Sequence, residues 1–170
     1  MRVLIILSAD SDTKTGGVPE FDGLIEAYYL FRDAGIDVVV AASGGGSASE
    51  SPATTSGGHR PATAEAIRRF ASDRVARDLM NDLVDLAAVC SGDFNGAICL
   101  GPQNFGEAGV NDCADGLVAE LLTAGKPVAV ITSAGVGVLP RAANGVLIVG
   151  NSAEAPRLAA NGLLGAMRVH

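Results

Sequence analysis

The sequence predicts an α/β protein built on an open parallel sheet with helices on both faces, and three observations carry that prediction. Short apolar runs recur within Val3–Leu7, Asp37–Ala42, Gly96–Leu100 and Pro127–Ile131, as expected of strands covered on both faces. Stretches with helical spacing of apolar residues separate them, so strand and helix alternate. Each run gives way to small or polar residues, which belong at the carboxyl edge where open α/β sheets keep their ligands.

Taken in order, Val3–Leu7 is the first strand and ends at Ser8. A polar loop follows to Gly17, and Pro19 suits the first turn of a helix. Phe21, Leu24, Ile25, Tyr28 and Phe31 recur at helical spacing, and Gly35 is the stop signal. Asp37–Ala42 is the second strand and completes a βαβ unit, whose crossover is expected to be right-handed. Residues 43–63 are mostly Gly, Ser, Thr, Ala and Pro and read as a long loop. Ala64–Val89 reads as helix, with Ile67, Phe70, Val75, Leu79, Leu83 and Leu86 as buried positions and a break near Ser72-Asp73. Gly96–Leu100 is the third strand and Asp115–Thr123 a short helix. Pro127–Ile131 is the fourth strand, Val146–Val149 the last, and Ala153–Met167 a closing helix. The order is that of a flavodoxin-like sheet, and the absence of a linker or internal repeat predicts one domain over residues 1–170.

Composition narrows the functional classes. At 48% hydrophobic and 18% charged, the chain has the makings of a packed core. A formal net charge of −7 argues against nucleic acid or an anionic membrane as partner. No apolar run is long enough to span a bilayer. Cys90, Cys99 and Cys113 are odd in number and read as reduced thiols of a cytoplasmic protein.

The stretch Pro127–Leu139 concentrates the chemical interest. A buried strand runs into Thr132 and then into small residues able to open a helix, the order of a nucleophile elbow. The only histidines, His59 and His170, lie in a Gly-rich loop and at the last position. A Ser-His or Cys-His arrangement would need one of them folded onto the elbow. No His, Cys or carboxylate cluster has metal-ligand spacing, so no metal is expected. The loop Ser8–Thr15 has hydroxyls and amides that suit a flavin phosphate, yet there is no Trp, and Glu20 and neighbouring acids oppose a dianion. No cofactor is expected. Glu20 reads either as a helix-dipole partner in a first turn or, in a dry pocket, as a general base.

Several stretches in this order resemble the DJ-1/PfpI (ThiJ) superfamily, of class I glutamine-amidotransferase-like fold, and specifically its chaperone/glyoxalase-like branch. Thr15-Gly-Gly-Val-Pro-Glu20 followed by Ala27–Gly35 is similar to that branch's glutamate-bearing loop and helix. Ala42-Ser-Gly-Gly45, Asp93-Phe-Asn-Gly-Ala-Ile98 and Gly125-Lys-Pro-Val-Ala129 also fall in register with it. The resemblance covers most of the chain and implies that Glu20 is the family's cysteine-facing glutamate. Thr132 then stands where the reactive cysteine would be, Ser133 at the following histidine, and Ala134 at the next glycine. Leu100-Gly-Pro-Gln-Asn104 stands in place of Pro-Gly-Gly-His-Gly, so an oxyanion donor is replaced by Pro102, which has no N–H.

These departures remove the family's cysteine chemistry. A threonine hydroxyl needs a base to become nucleophilic, and a single lost oxyanion donor costs about 2.7–4 kcal/mol in the transition state. The sequence therefore leaves two readings open. One is a small-molecule enzyme of the lyase or hydrolase kind, with Glu20 as general acid/base. Thr132 and Ser133 would then hydrogen-bond a carbonyl or hydroxyl, and Gly101, Gln103 and Asn104 would orient it. The other is a catalytically silent relative that binds a metabolite or protein. The direct connection Pro140–Gly145, where the family usually inserts strands, adds the expectation of an open pocket or one completed in a homodimer.

Overall fold

A computed structural model describes residues 1–7, 18–48, 61–101, 112–131, 144–152 and 154–169, with backbone alone at 18–20, 61, 112, 113 and 169. Its elements are β1 (Arg2–Leu7), α1 (Val18–Asp33), β2 (Asp37–Ala42), α2 (Pro61–Ser72), α3 (Arg74–Asn81), β3 (Val84–Asp85), β4 (Gly96–Leu100), α4 (Asp112–Thr123), β5 (Val128–Ile131), β6 (Leu147–Gly150) and α5 (Ala155–Val169). The strands form one sheet in the order β3-β2-β1-β4-β5-β6, and every pair is parallel. This is the flavodoxin-like α/β architecture that the strand–helix alternation predicts.

The pleat sorts each strand between two apolar layers. Val3, Ile5, Ile98, Leu100, Ala129 and Ile131 face one side, where α1, α2, α3 and α5 pack. Leu4, Ile6, Ala97, Cys99, Val128 and Val130 face the other, covered by α4 with Leu86 and Phe94. Burial on both faces explains the unbroken apolar runs, since no position of a central strand is left for a polar side chain. In α1 the expected face is buried: Leu24, Ile25, Tyr28 and Phe31 are all at most 2% exposed. Gly35 ends the helix in the left-handed region, at φ 73°.

The stretch 64–89 is broken near Ser72-Asp73 into α2 and α3, as expected, but helix ends at Asn81 rather than Val89, and the short strand β3 and a 3-10 turn at Leu86–Ala88 follow. The break falls at Asp73, whose carboxylate accepts from the Ala76 N–H at 3.1 Å and caps α3. That cap restarts the helical phase. Ala76 and Met80 are the buried positions of α3, whereas Val75 is 67% exposed. Leu83 and Leu86 are buried, but from the edge-strand connection rather than from a helix. β3 pairs with the end of β2 through Ala41↔Val84 and Ala42↔Asp85, giving six strands where five were expected.

Candidate functional site

Strand order reverses between β1 and β4: the chain builds outward through β2 and β3 on one side, and through β5 and β6 on the other. Such a switch point opens a crevice at the carboxyl ends of its two strands. The register aligns those ends in a single row. Ala42 pairs with Leu7, Leu7 with Leu100, Leu100 with Ile131, and Ile131 with Gly150. With about 4.8 Å between neighbouring strands, Leu7 and Ile131 stand about 10 Å apart with Leu100 between them.

This row is the base of the candidate site. Leu100 and Ile131 are 2% and 8% exposed and belong to the layer against which α1 packs. Glu20 lies in the first turn of α1. The next turn of α1 packs against α5: a Cβ added at Gly23 would come within 2.8 Å of Pro156 Cγ, so α1 and α5 meet there with no room for a side chain. Gly101 follows Leu100 with φ 114°, a backbone angle that other residues rarely adopt, and it is buried. Its conformation turns the chain out of β4 at the centre of the row.

Of the predicted site residues, Gly101 is fully described and Glu20 by its backbone. Thr132, Ser133, Gln103 and Asn104 lie outside the described residues, as do Pro102, Ala134, His59, His170 and the loop Ser8–Thr15. Thr132 is bonded directly to Ile131 and Gln103 comes two residues after Gly101. The described elements therefore bring the roots of these segments to adjacent positions of one row.

The cysteines bear on whether a thiol could replace the missing nucleophile. Cys99 faces the α4 side of the sheet and is fully buried. Burial, and then the negative charge of Asp115, push its thiol up to about 12. Cys90 is exposed in the connection that precedes β4, on the amino side of that strand. Neither offers a thiolate to the carboxyl edge. Cys113 lies in the first turn of α4, its side chain outside the described residues. Among the described residues, no group of three or more His, Cys, Asp or Glu could hold a metal ion. No helix there is long and apolar enough to cross a membrane.

Two features had no sequence signal beyond an acid or arginine on an amphipathic helix. Glu26 is 5% exposed in α1 and accepts a hydrogen bond from the hydroxyl of Thr63, itself buried in α2. Beside it, the Arg69 guanidinium lies 4.1 Å from the centre of the Tyr29 ring and pairs with Asp33 at 2.8 and 2.9 Å. Tyr29 donates its hydroxyl proton to Asp73 at 3.2 Å. Burial first, then the charge of Asp73 and the hydrogen bond to it, raise the Tyr29 pKa and keep the phenol neutral. Tyr29, Asp33, Arg69 and Asp73 brace α1 against α2 and the start of α3, and a groove of about 280 Å3 opens beside them toward Arg157.

No family model matches the sequence, and no curated protein matches it. Solved structures do. The Rapid Encystment Protein of 24 kDa from Francisella tularensis superposes with a TM-score of 0.69 at 12% identity, covering 98% of each chain. Glyoxalase III from Candida albicans gives 0.61 at 10% identity, over 97% of this chain and 96% of that one. A ThiJ/PfpI domain protein from Brachyspira murdochii gives 0.56 at 15% identity, over 99% and 97%. With near-complete coverage in both directions and DJ-1, ThiJ and PfpI proteins among its structural neighbours, the chain has the fold of the DJ-1/ThiJ/PfpI proteins.

Proposed function

We propose that this chain is a DJ-1/PfpI-type protein acting on a small carbonyl or hydroxy compound without a cysteine nucleophile. Glu20 serves as general acid/base, Thr132 and Ser133 hydrogen-bond the reacting oxygen, and Gly101, Gln103 and Asn104 orient the ligand. A hydration, proton-transfer or lyase-type step suits these groups, because each needs a positioned carboxyl and donors rather than an acyl or thiohemiacetal intermediate. The observation that carries the reading is the alignment of Leu7, Leu100 and Ile131 at the switch point. It roots the segments that bear the candidate residues side by side, on the face against which α1 packs. The family's homodimer, with a second copy closing the pocket, and a cytoplasmic location with reduced thiols belong to the same proposal.

A second reading is a silent binding module. Thr132 and Pro102 at the family's cysteine and oxyanion-donor positions favour it, together with the inaccessibility of Cys99.

The test is turnover of a panel of small aldehydes, ketones and hydroxy carbonyl compounds followed by proton NMR, with light scattering on the same samples for stoichiometry. Glu20→Gln should lower kcat on the order of 10²- to 10⁴-fold, and Thr132→Ala should lower it as well. Full turnover in both variants sinks the enzymatic reading. Methylglyoxal conversion by the wild type would contradict the loss of the family's cysteine-dependent activity.

A further inference from the structure

A cavity of about 350 Å3 opens between the first turn of α1, the segment after β2, and helices α2 and α3. Its volume is in the range of small-molecule sites. Phe21 and Phe70 form one wall, packed edge to face with ring centres 5.5 Å apart. Met80, 1% exposed, forms the base, and the Ala48 N–H donates to its carbonyl at 2.8 Å, tying the segment after β2 to α3. Ala71, Arg77 and Asn81 are exposed and complete the lining.

The charges around this cavity are unequally engaged. Arg69 is held by Asp33, and Arg74 pairs with Asp78 at 3.5 Å. Asp73 accepts from the Ala76 N–H and from Tyr29. Among the described residues, Arg77 has no ion pair although the chain as a whole carries a net charge of −7. Asn81 accepts from the Ser47 hydroxyl at 3.5 Å, which leaves its amide N–H groups as donors. An unengaged guanidinium and an amide thus border a pocket walled by aromatic and thioether groups.

We propose that this cavity binds a small monocarboxylate with an aryl or branched alkyl body, separate from the chemistry at Glu20. The body packs against Phe21, Phe70 and Met80, where a ring gains edge and sulfur contacts. The planar carboxylate meets the guanidinium fork, with Asn81 as a further donor. A phosphate dianion fits less well: one arginine cannot balance it, and Asp73, Asp78 and Asp82 stand on or next to α3.

The test uses 4-fluorophenylacetate and its neutral amide, titrated into the full-length protein and followed by fluorine NMR and by the methyl signal of Met80. The acid should shift that methyl and bind about tenfold more tightly than the amide, the size of one charge-assisted hydrogen bond. Arg77→Gln should bring the acid down to the amide's affinity. Ala71→Phe, which fills the cavity, should abolish binding of both. Both residues are exposed, and circular dichroism verifies that each variant is folded. The proposal is overturned if the Met80 methyl does not respond at millimolar ligand, or if acid and amide bind equally to wild type. Undiminished binding to Ala71→Phe also overturns it. Loss of binding in Glu20→Gln would assign the ligand to the carboxyl-edge crevice instead and refute a separate site, whatever the fate of the proposed reaction.

Discussion

Gly150 is the most informative single position for the geometry beneath the site. It stands next to Ile131 in the row of strand ends, and a Cβ placed on it would lie 2.5 Å from Ala155 Cβ and 3.1 Å from Ile131 Cδ1. Ordinary carbon–carbon contacts are about 3.5–4.0 Å, so roughly 1 Å of movement is required. The Ile131 methyl can swing away. Ala155 Cβ is fixed to the first turn of α5, so relief requires that turn or β6 to shift. Overpacking of this kind costs up to about 3 kcal/mol. Replacing glycine at an ordinary φ returns about 0.4–1 kcal/mol through the unfolded chain. Gly150→Ala should therefore destabilise by roughly 2 kcal/mol, or about 4–8 °C in Tm for a chain of this size. Gly116 is the control: it is exposed in α4 with nothing within 4 Å of its added Cβ. Gly116→Ala should stabilise by about 1 kcal/mol through helix propensity alone. Urea denaturation followed by circular dichroism reads both. If Gly150→Ala is as stable as wild type, the close approach of β6, Ile131 and α5 is wrong.

Two further outcomes follow from the titrating groups. The hydrogen bond from Arg69 holds the Asp33 carboxyl below its ordinary value of 3.8, with its burial opposing and the Arg69 charge adding to the depression. A depressed carboxyl stabilises the fold above its unfolded pKa and loses that contribution as pH falls through the folded value. Both side chains are about half exposed, at 48% and 59%. The gap between wild type and Asp33→Asn should accordingly be about 0.5 kcal/mol at neutral pH and close below pH 3.8. Equal gaps at pH 7 and in strong acid would show that the ion pair contributes nothing. In a Cys113→Ser background, Cys90 should react with a disulfide reagent at pH 8 while Cys99 stays silent until the protein unfolds. With its thiol near 12, only about one Cys99 in ten thousand is thiolate at that pH. Prompt labelling of two thiols in the native protein would refute its burial.

The parts of the fold that were readable share a physical cause. Val3–Ile6, Ile98 and Val128–Val130 are buried on both sides of a sheet, so burial leaves an unbroken apolar trace. The Leu24–Phe31 face of α1 shows equally well because one helix buries one stripe. Residues 82–89 were misread as helix because spacing records burial and not the element that causes it. Leu79, Leu83 and Leu86 continue a helical interval, yet Leu83 is buried from the bridge that precedes β3 and Leu86 from a 3-10 turn. Val75 looked like core only because the phase was carried across the Asp73 cap, and Ala76 was too small to mark the new stripe. At the site, the strand that leads to Thr132 was visible because Val128–Ile131 is an unbroken apolar run, buried at every position. Glu26 with Thr63, and Arg69 on Tyr29, were invisible because each pairing joins different helices, and sequence spacing carries no information about tertiary partners.

The row of strand ends has a consequence for how the site tolerates change. Its width is fixed by the ladder of backbone hydrogen bonds, one strand spacing at a time, and not by the side chains beneath it. Substitutions in the two apolar layers can loosen the protein while the roots of the Gln103 and Thr132 segments keep their separation. A one-residue slip of β5 against β4 is different in kind: it turns every β5 side chain to the opposite layer and moves Ile131 off the row in a single step. The spacing of the site therefore changes by whole residues of register or not at all, and adaptation to a new ligand is confined to the segments that spring from the row.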